Sequence, residues 1–353
     1  MTIQNRTLIF TLFAGSLCVL DAAEPITRGK ITRSRAESSS QHSDTNGLIS
    51  TPLLGLFVDD ANTEVHAVTG VPGSALVSNP LAMPDSVKRV WLAPGQQWAL
   101  VDAGGLAVLP LDGFQAGDPV FIDGAVSTAD AVGFAPQTAV FVVYSRSQER
   151  LNVIANGQVT ADISTSGLFA SPIRSVAIDD SGKWPIAVTE DGAAYRVQSA
   201  SAPQLLYRGG SISAAVFTSS RLILADDGLS QVIAVEGLTD NPSVRVLATK
   251  VGAGAIFLQA STGGGGVIAT AAASRSAYRI GFAGEVVESF DLPADPTRLV
   301  RMRNRNSFVF SALQAGPVWM LVDDGGTMQA TFAARPSKAQ ETSEPIFGGE
   351  VRK

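Results

Sequence analysis

Cysteine and histidine are almost missing from this sequence: 353 residues hold one Cys, Cys18, and two His, His42 and His66. Cys18 lies in an apolar run near the start, so once that run is removed the chain has no thiol, no disulfide and no cysteine-ligated metal. One histidine in a polar stretch and one in a candidate strand give little support to a histidine-held zinc or a His-assisted serine nucleophile. Charge is also sparse at 16% and aromatics at 7%, whereas apolar residues reach 45%, with 34 Gly and 18 Pro. That balance suits a core-rich globular chain and excludes a disordered one.

Long hydrophobic runs are missing too, apart from TLIFTLFAGSLCVL at residues 7–20. With Arg6 before it and Ala22 and Ala23 after it, the run has the three parts of a secretory signal peptide and is short for a membrane span. Residues 1–23 are therefore expected to be a cleaved export signal. No transmembrane span is then expected in the mature chain, which would be periplasmic or extracellular. A lipid-modified cysteine would need a small residue before it, and Leu17 stands there.

Residues 24–47 are polar and without apolar periodicity, which reads as a flexible linker. Residues 335–353 form a similar polar tail, in which residues 345–351 could pair with a sheet edge. The chain carries −6 overall; the signal adds zero and each polar end adds +1, leaving −8 for residues 48–334. An acidic body disfavours nucleic acid as a partner.

Within residues 48–334 one phrase recurs seven times: an apolar residue, any residue, a second apolar residue, then a polar, Pro, Gly or Ser turn. The copies are LFVDDAN at Leu56, VWLAPGQ at Val90, VGFAPQT at Val132, VAIDDSG at Val176, VFTSSR at Val216, IFLQAST at Ile256 and VRMRNRN at Val300. Their second apolar residues, Val58, Leu92, Phe134, Ile178, Phe217, Leu258 and Met302, are spaced by 34, 42, 44, 39, 41 and 44 residues. Such periods, filled by short β-rich segments between Gly, Pro, Asp and Asn, predict an all-β fold: a β-propeller of seven four-stranded blades, with six or eight as the alternatives. Six blades show four candidate strands each. The first shows three, and its outer edge is expected to be short or filled by residues 47–51 or 345–351.

Candidate chemistry is thin. The acid pairs Asp59-Asp60, Asp179-Asp180, Asp226-Asp227 and Asp323-Asp324 could hold a hard cation, but they stand at unlike corners of the phrase, and turn closure is the favoured role. Residues 263–266 are all glycine yet lack the Lys and helix start of a phosphate loop, and GAGAIF from Gly252 lacks the third glycine of a dinucleotide site. There is no GxSxG. No catalytic residue, metal ligand or cofactor is expected. Trp91, Trp98, Trp184 and Trp319 are expected to pack between sheets unless they gather at the central opening. Arg301, Arg303 and Arg305 alternate with Arg298 just ahead, so their guanidinium groups could share a strand face. They would either hold an anion or partner, or pair with acids of the neighbouring first and sixth blades.

The stretch VAIDDSGKWPIAVTEDGAAYRV, residues 176–197, resembles exported bacterial β-propellers of the broad YVTN, WD40-like and quinoprotein-like superfamily. The resemblance implies architecture over about residues 50–334 and transfers no site. Two functions follow as expectations: a noncatalytic exported module that binds a protein, glycan or surface polymer, or an exported hydrolase or lyase with an Asp/Arg site at the central channel, with or without calcium.

Overall fold

Apolar side chains on both faces of the strands decide the architecture. In the strand Arg221–Asp226 every residue from Leu222 to Asp226 is inaccessible to solvent. Extended backbone points successive side chains to opposite faces. Leu222 and Leu224 accordingly join one apolar cluster, and Ile223 and Ala225 join the next. Such a strand requires a sheet on each side.

The computed structural model describes residues 52–335, apart from 200, 219, 220, 240, 314 and 315. The expected signal, the linker and residues 336–353 of the tail lie outside the described residues. Blade 1 contains β1 (Leu53–Val58), β2 (Val65–Val71) and β3 (Ser74–Pro80). Blade 2 contains β4 (Arg89–Leu92), β5 (Trp98–Asp102), β6 (Leu106–Asp112) and an outer strand broken into β7 (Gln115–Ala116) and β8 (Val120–Phe121). Blade 3 is β9 (Ala131–Phe134), β10 (Val140–Ser145), β11 (Arg150–Ala155) and β12 (Gln158–Ser164). Blade 4 is β13 (Ile173–Ala177), β14 (Ile186–Thr189), β15 (Ala193–Arg196) and β16 (Gln204–Arg208). Blade 5 is β17 (Ile212–Thr218), β18 (Arg221–Asp226), β19 (Gln231–Glu236) and β20 (Ser243–Thr249). Blade 6 is β21 (Ile256–Ala260), β22 (Gly266–Ala271), β23 (Ser276–Gly281) and β24 (Glu285–Asp291). Blade 7 is β25 (Val300–Arg301), β26 (Ser307–Val309), β27 (Val318–Asp323) and β28 (Met328–Ala334).

Each blade is an antiparallel meander, and the chain is a seven-bladed β-propeller. Seven apolar clusters sit between the blades, each drawing on two neighbours, from blades 1 and 2 around to blades 7 and 1. The cluster of Leu54, Phe57 and Val68 with Met302, Val309 and Val318 closes the ring. Outside it, the end of β28 also pairs parallel to β3 through Ala333↔Ala75 and Ala334↔Leu76.

Blade 1 departs from expectation. Inner strands of neighbouring blades run in the same direction: Gln259 reaches the Leu299 carbonyl, and further along both chains Thr262 reaches that of Arg305. β1 runs the other way against both neighbours. Leu54 O accepts from Asn304 N at 3.0 Å while Val58 O accepts from Arg298, and Leu56 bonds Gln96 while Asn62 O accepts from Val90 N. The register of β1 with β2, Val58↔Val65, matches that of β18 with β19, Ala225↔Val232, and LFVDDANTEVHAV, residues 56–68, aligns without a gap on ILADDGLSQVIAV, residues 223–235. β1 is therefore a second strand, with β2 third and β3 outermost. The 34-residue first step arises because Val58 lies one strand later than the other anchors. It is the inner place, not the outer edge, that holds no strand among the described residues; residues 47–51 and 345–351 lie outside them.

Close approach at the hub sets a steric limit. A Cβ on Gly133 of β9 would stand 2.4 Å from Val176 O and 2.9 Å from Ala177 Cα of β13, both backbone atoms that cannot step aside. Gly133→Val should cost about 1–3 kcal/mol or more in denaturant unfolding. Gly263→Ala, where a Cβ meets nothing within 4 Å, should stay within about 0.5 kcal/mol of the parent.

Candidate functional site

Polar side chains near the hub mostly join one blade to the next. Ser213 Oγ of β17 donates to Ile256 O at 2.9 Å and accepts from Ile256 N at 3.1 Å, tying blade 5 to blade 6. Gln259 Nε2 donates to Leu299 O at 3.1 Å, and Arg301 donates back to Ala260 O, tying blade 6 to blade 7. Unpaired backbone groups in a buried hub are costly, and these bonds meet that requirement where no strand ladder can.

The inner edge of β1 receives the same treatment from three directions. The buried Gln96 side chain, held on a left-handed turn residue with φ 53°, accepts from Leu56 N at 2.6 Å and donates to Leu56 O at 2.7 Å and to Arg301 O at 3.0 Å. Its amide thus imitates a neighbouring peptide group. Asn304 N covers Leu54 O, and Arg298 covers Val58 O while pairing with Asp60.

These contacts separate the four arginines expected to act together. β25 ends at Arg301, so the alternation is broken: Arg303 lies in the following turn and Arg305 has φ 67°. Arg298 and Arg301 are mostly buried and engaged with neighbouring blades; the Arg301 guanidinium also lies 5.1 Å from the centre of the Phe308 ring. Burial pulls the pKa of both below the ordinary arginine value, opposed by the Asp59 charge near Arg298 and the Asp323 charge near Arg301. Arg303 and Arg305 are exposed, and neither forms an ion pair among the described residues. Beside Arg298 a cavity of about 510 Å³ is lined by Asp59, Asp60, Asn62, Thr297, Val300 and Ala312. It lies at the upper end of the strandless inner place of blade 1.

All four acid pairs engage turns. Asp59 Oδ1 accepts from Thr63 N at 2.6 Å and Glu64 N at 2.8 Å; Asp179 Oδ1 accepts from Trp184 N at 2.9 Å; Asp226 accepts from Gly210, Ser211 and Leu229 N–H groups; Asp324 Oδ1 accepts from Gly326 and Thr327 N–H groups at 2.8 Å. One detail differs from the sequence reading: Asp59 and Asp226 occupy equivalent corners, because β1 and β18 are equivalent strands. Among the described residues no three His, Cys, Asp or Glu side chains gather as a cation site would require.

Asp323 has a role that the sequence did not signal. It is 1% exposed, bonds Arg279 of blade 6 at 2.5 Å and accepts from Thr262 N at 3.0 Å; Arg279 also reaches Glu288 at 3.5 Å and Gly326 O at 2.9 Å. This buried ion pair clamps blades 6 and 7. His66 stacks on Phe57 at 5.5 Å and bonds Ser78 O through Nδ1, a packing role. The tryptophans do not gather: Trp98 packs on Phe134 and Phe141 between blades 2 and 3, Trp319 lies on Phe332, and Trp91 and Trp184 sit under Arg89 and Arg196. Gly263, Gly264 and Gly265 form the turn before β22, whose first residue is Gly266, and Gly252 and Gly254 form the turn before β21.

No protein-family model matches the chain, and no curated protein matches it in sequence. Among solved structures it is similar to the β-propeller domain of Cps50 (Swd1) from Myceliophteria thermophila, with 9% identity, TM-score 0.53, and 72% of this chain and 88% of that one covered. It is also similar to the periplasmic gluconolactonase PpgL of Pseudomonas aeruginosa, with 13% identity, TM-score 0.52, and 80% and 96% covered. A protein of unknown function from Desulfotomaculum acetoxidans gives 11% identity, TM-score 0.55, and 80% and 99% covered. At these identities the likeness is one of fold.

Three outcomes are expected. Asp323→Ala leaves Arg279 charged and buried and should cost about 3–5 kcal/mol in denaturant unfolding, whereas the paired change Arg279→Met with Asp323→Leu should cost much less. Gln96→Ala leaves the Leu56 N–H and C=O without partners and should cost at least about 1–3 kcal/mol. For Asp59, burial raises the pKa, but hydrogen bonds from Glu64, Thr63 and Ala61 outweigh it and hold the carboxyl below its ordinary 3.8. A lowered folded-state pKa stabilises above the unfolded value and is lost as pH falls through the folded one. Asp59→Asn should therefore show a shallower loss of melting temperature on acidification below about pH 4 than the parent.

Proposed function

We propose that this chain is an exported, noncatalytic β-propeller that serves as a binding or scaffold module, with an extended segment of a protein as its partner. The observation that supports this most is the uneven use of side chains. Acids and arginines near the hub are committed to turns and blade seams, while the outer strand of blade 2 is broken and apolar. Phe114, Val120 and Phe121 are 50%, 63% and 57% exposed there. β7 and β8 each pair only with β6, so their outer edges are open among the described residues. Broken, exposed strand edges with apolar side chains suit addition of a partner strand, whose backbone supplies affinity and whose side chains supply selectivity. Exposed Arg303 and Arg305 are candidate contacts for acidic groups of the partner, with Arg298 and Arg301 fixing the seam behind them.

Export is carried by Arg6, the apolar run at residues 7–20 and the small residues after it. Among the described residues no helix is long and apolar enough to cross a membrane. A glycan or surface polymer is the second class of partner, since the exposed Phe121 and Phe332 rings on outer strands also offer stacking surface.

The test is affinity capture from the exported fraction of the native cell, comparing residues 24–353 with the triple variant Phe114→Ser, Val120→Ser, Phe121→Ser. One stoichiometric partner that the parent retains and the variant loses is the expected result. Turnover of a lactone or glycoside by the parent, with no partner retained, would favour the hydrolase or lyase reading instead.

A further inference from the structure

We propose that the outer edge of β24 in blade 6 is a docking site for a basic, extended protein segment with an aliphatic centre, added to the blade as a fifth strand. This site stands apart from the blade 2 edge and does not depend on it. β24 pairs only with β23 among the described residues. The Leu292 N–H donates to the Arg275 carbonyl just beyond the aligned pair Asp291↔Ser276, so antiparallel alternation turns the N–H and C=O of Asp291 and Ser289 away from β23. Such unpaired groups along a seven-residue strand are a template for a further strand. Val286 and Val287 add apolar surface there, 43% and 56% exposed. Other outer strands are less suited. β12 exposes Gln158, Thr160, Asp162 and Ser164, all polar, and β16 has five residues. β3 and β28 pair with each other. β20 has the blade 6 turn beside it: a Cβ on Gly284 would stand 3.8 Å from both Val246 O and Leu247 O.

Charge selects the occupant. Acids of the outer sheets have cationic neighbours within their own blade: Asp162 pairs with Arg150, Glu236 with Arg221 and Arg245, and Glu288 in the middle of β24 with Arg279. Opposite charges across neighbouring strands stabilise a sheet, so this is the expected arrangement. Glu285 and Asp291, at the two ends of β24, lack it. Their aligned partners on β23 are Gly281 and Ser276, both acids are exposed, and neither forms an ion pair among the described residues. The edge thus offers a carboxylate at each end and two valines between them. A strand laid along it would set a Lys or Arg opposite each end and aliphatic side chains against the valines. A neutral segment would leave both carboxylates unpaired, and an acidic one would place like charges side by side.

The experiment follows binding of the fluorescein-labelled peptide Lys-Thr-Val-Ile-Val-Thr-Lys, which reads alike in both strand directions, to residues 24–353 by fluorescence anisotropy. Ser289→Pro removes an outward N–H and no bond to β23, a change that edge strands tolerate. It should weaken the peptide at least about tenfold while the melting temperature stays close to the parent's. Glu285→Lys combined with Asp291→Lys should weaken it by a similar factor, and should bind the acidic twin Glu-Thr-Val-Ile-Val-Thr-Glu more tightly than the parent does. The Phe114→Ser, Val120→Ser, Phe121→Ser variant should bind the basic peptide as the parent does. Equal affinity of the parent and Ser289→Pro would overturn strand addition and leave only attraction between an acidic body and a basic peptide. No saturable binding by the parent would overturn the site, as would loss of binding in the blade 2 variant alone, which would leave the blade 2 reading standing. Should Ser289→Pro fail to fold, the exchange of peptide preference by the double Lys variant decides, and its absence would overturn the proposal.

Discussion

Burial on both faces of every blade is the constraint from which the rest of the structure follows. A meander such as β17–β20 cannot hide Leu224 and Ala225 at once, because consecutive side chains point to opposite sides. Stacking a blade on each side hides both, and a ring is the arrangement in which no blade is left with a bare face. Small residues carry this to the hub. Gly133 of β9 admits the backbone of β13 at a distance that no side chain would permit, and the alanines and valines of β14, β18 and β22 keep the sheets close.

Closure is where this economy is under strain, and blade 1 meets it with two side chains and one backbone N–H from its neighbours. Its first described strand presents Leu54, Leu56 and Val58 carbonyls to the hub, and Asn304, Gln96 and Arg298 take the role that an inner strand has elsewhere. Blades 6 and 7 are clamped differently, by Asp323 and Arg279 in a buried ion pair that fixes orientation more than it adds stability. Many of the polar groups around the hub serve closure. Among the described residues, β7 and β8 have open outer edges, as β12, β16, β20 and β24 do, and Arg303 and Arg305 are exposed.

Period and composition made most of the architecture legible. Seven copies of an apolar phrase at blade-like spacing identified the propeller, and the strands of blades 2 to 7 fall where the apolar segments stand. The first copy misled because apolar-x-apolar followed by Asp-Asp describes β1 as well as it describes an inner strand; only the direction of the chain relative to β4 and β25 separates them. Alternation of Arg301, Arg303 and Arg305 assumed extended backbone, which stops at Arg301 as the chain turns. Gln96 was illegible for another reason. Its partners, Leu56 and Arg301, are 40 and 205 residues away in sequence, and a glutamine in a turn carries no local sign of being buried.

The central claim is that the seven seams form one cooperative closed ring, so that weakening any seam weakens all of them. Equilibrium unfolding of the Leu224→Ala variant tests it most directly, with the indole of Trp98 in blade 2 and of Trp319 in blade 7 each resolved by fluorine labelling. Leu224 lies between blades 4 and 5, remote along the ring from both probes. The account predicts that both indoles report one shared transition, shifted to lower denaturant by an equal amount. Separate midpoints, or a shift confined to neither probe while blade 5 unfolds alone, would contradict it.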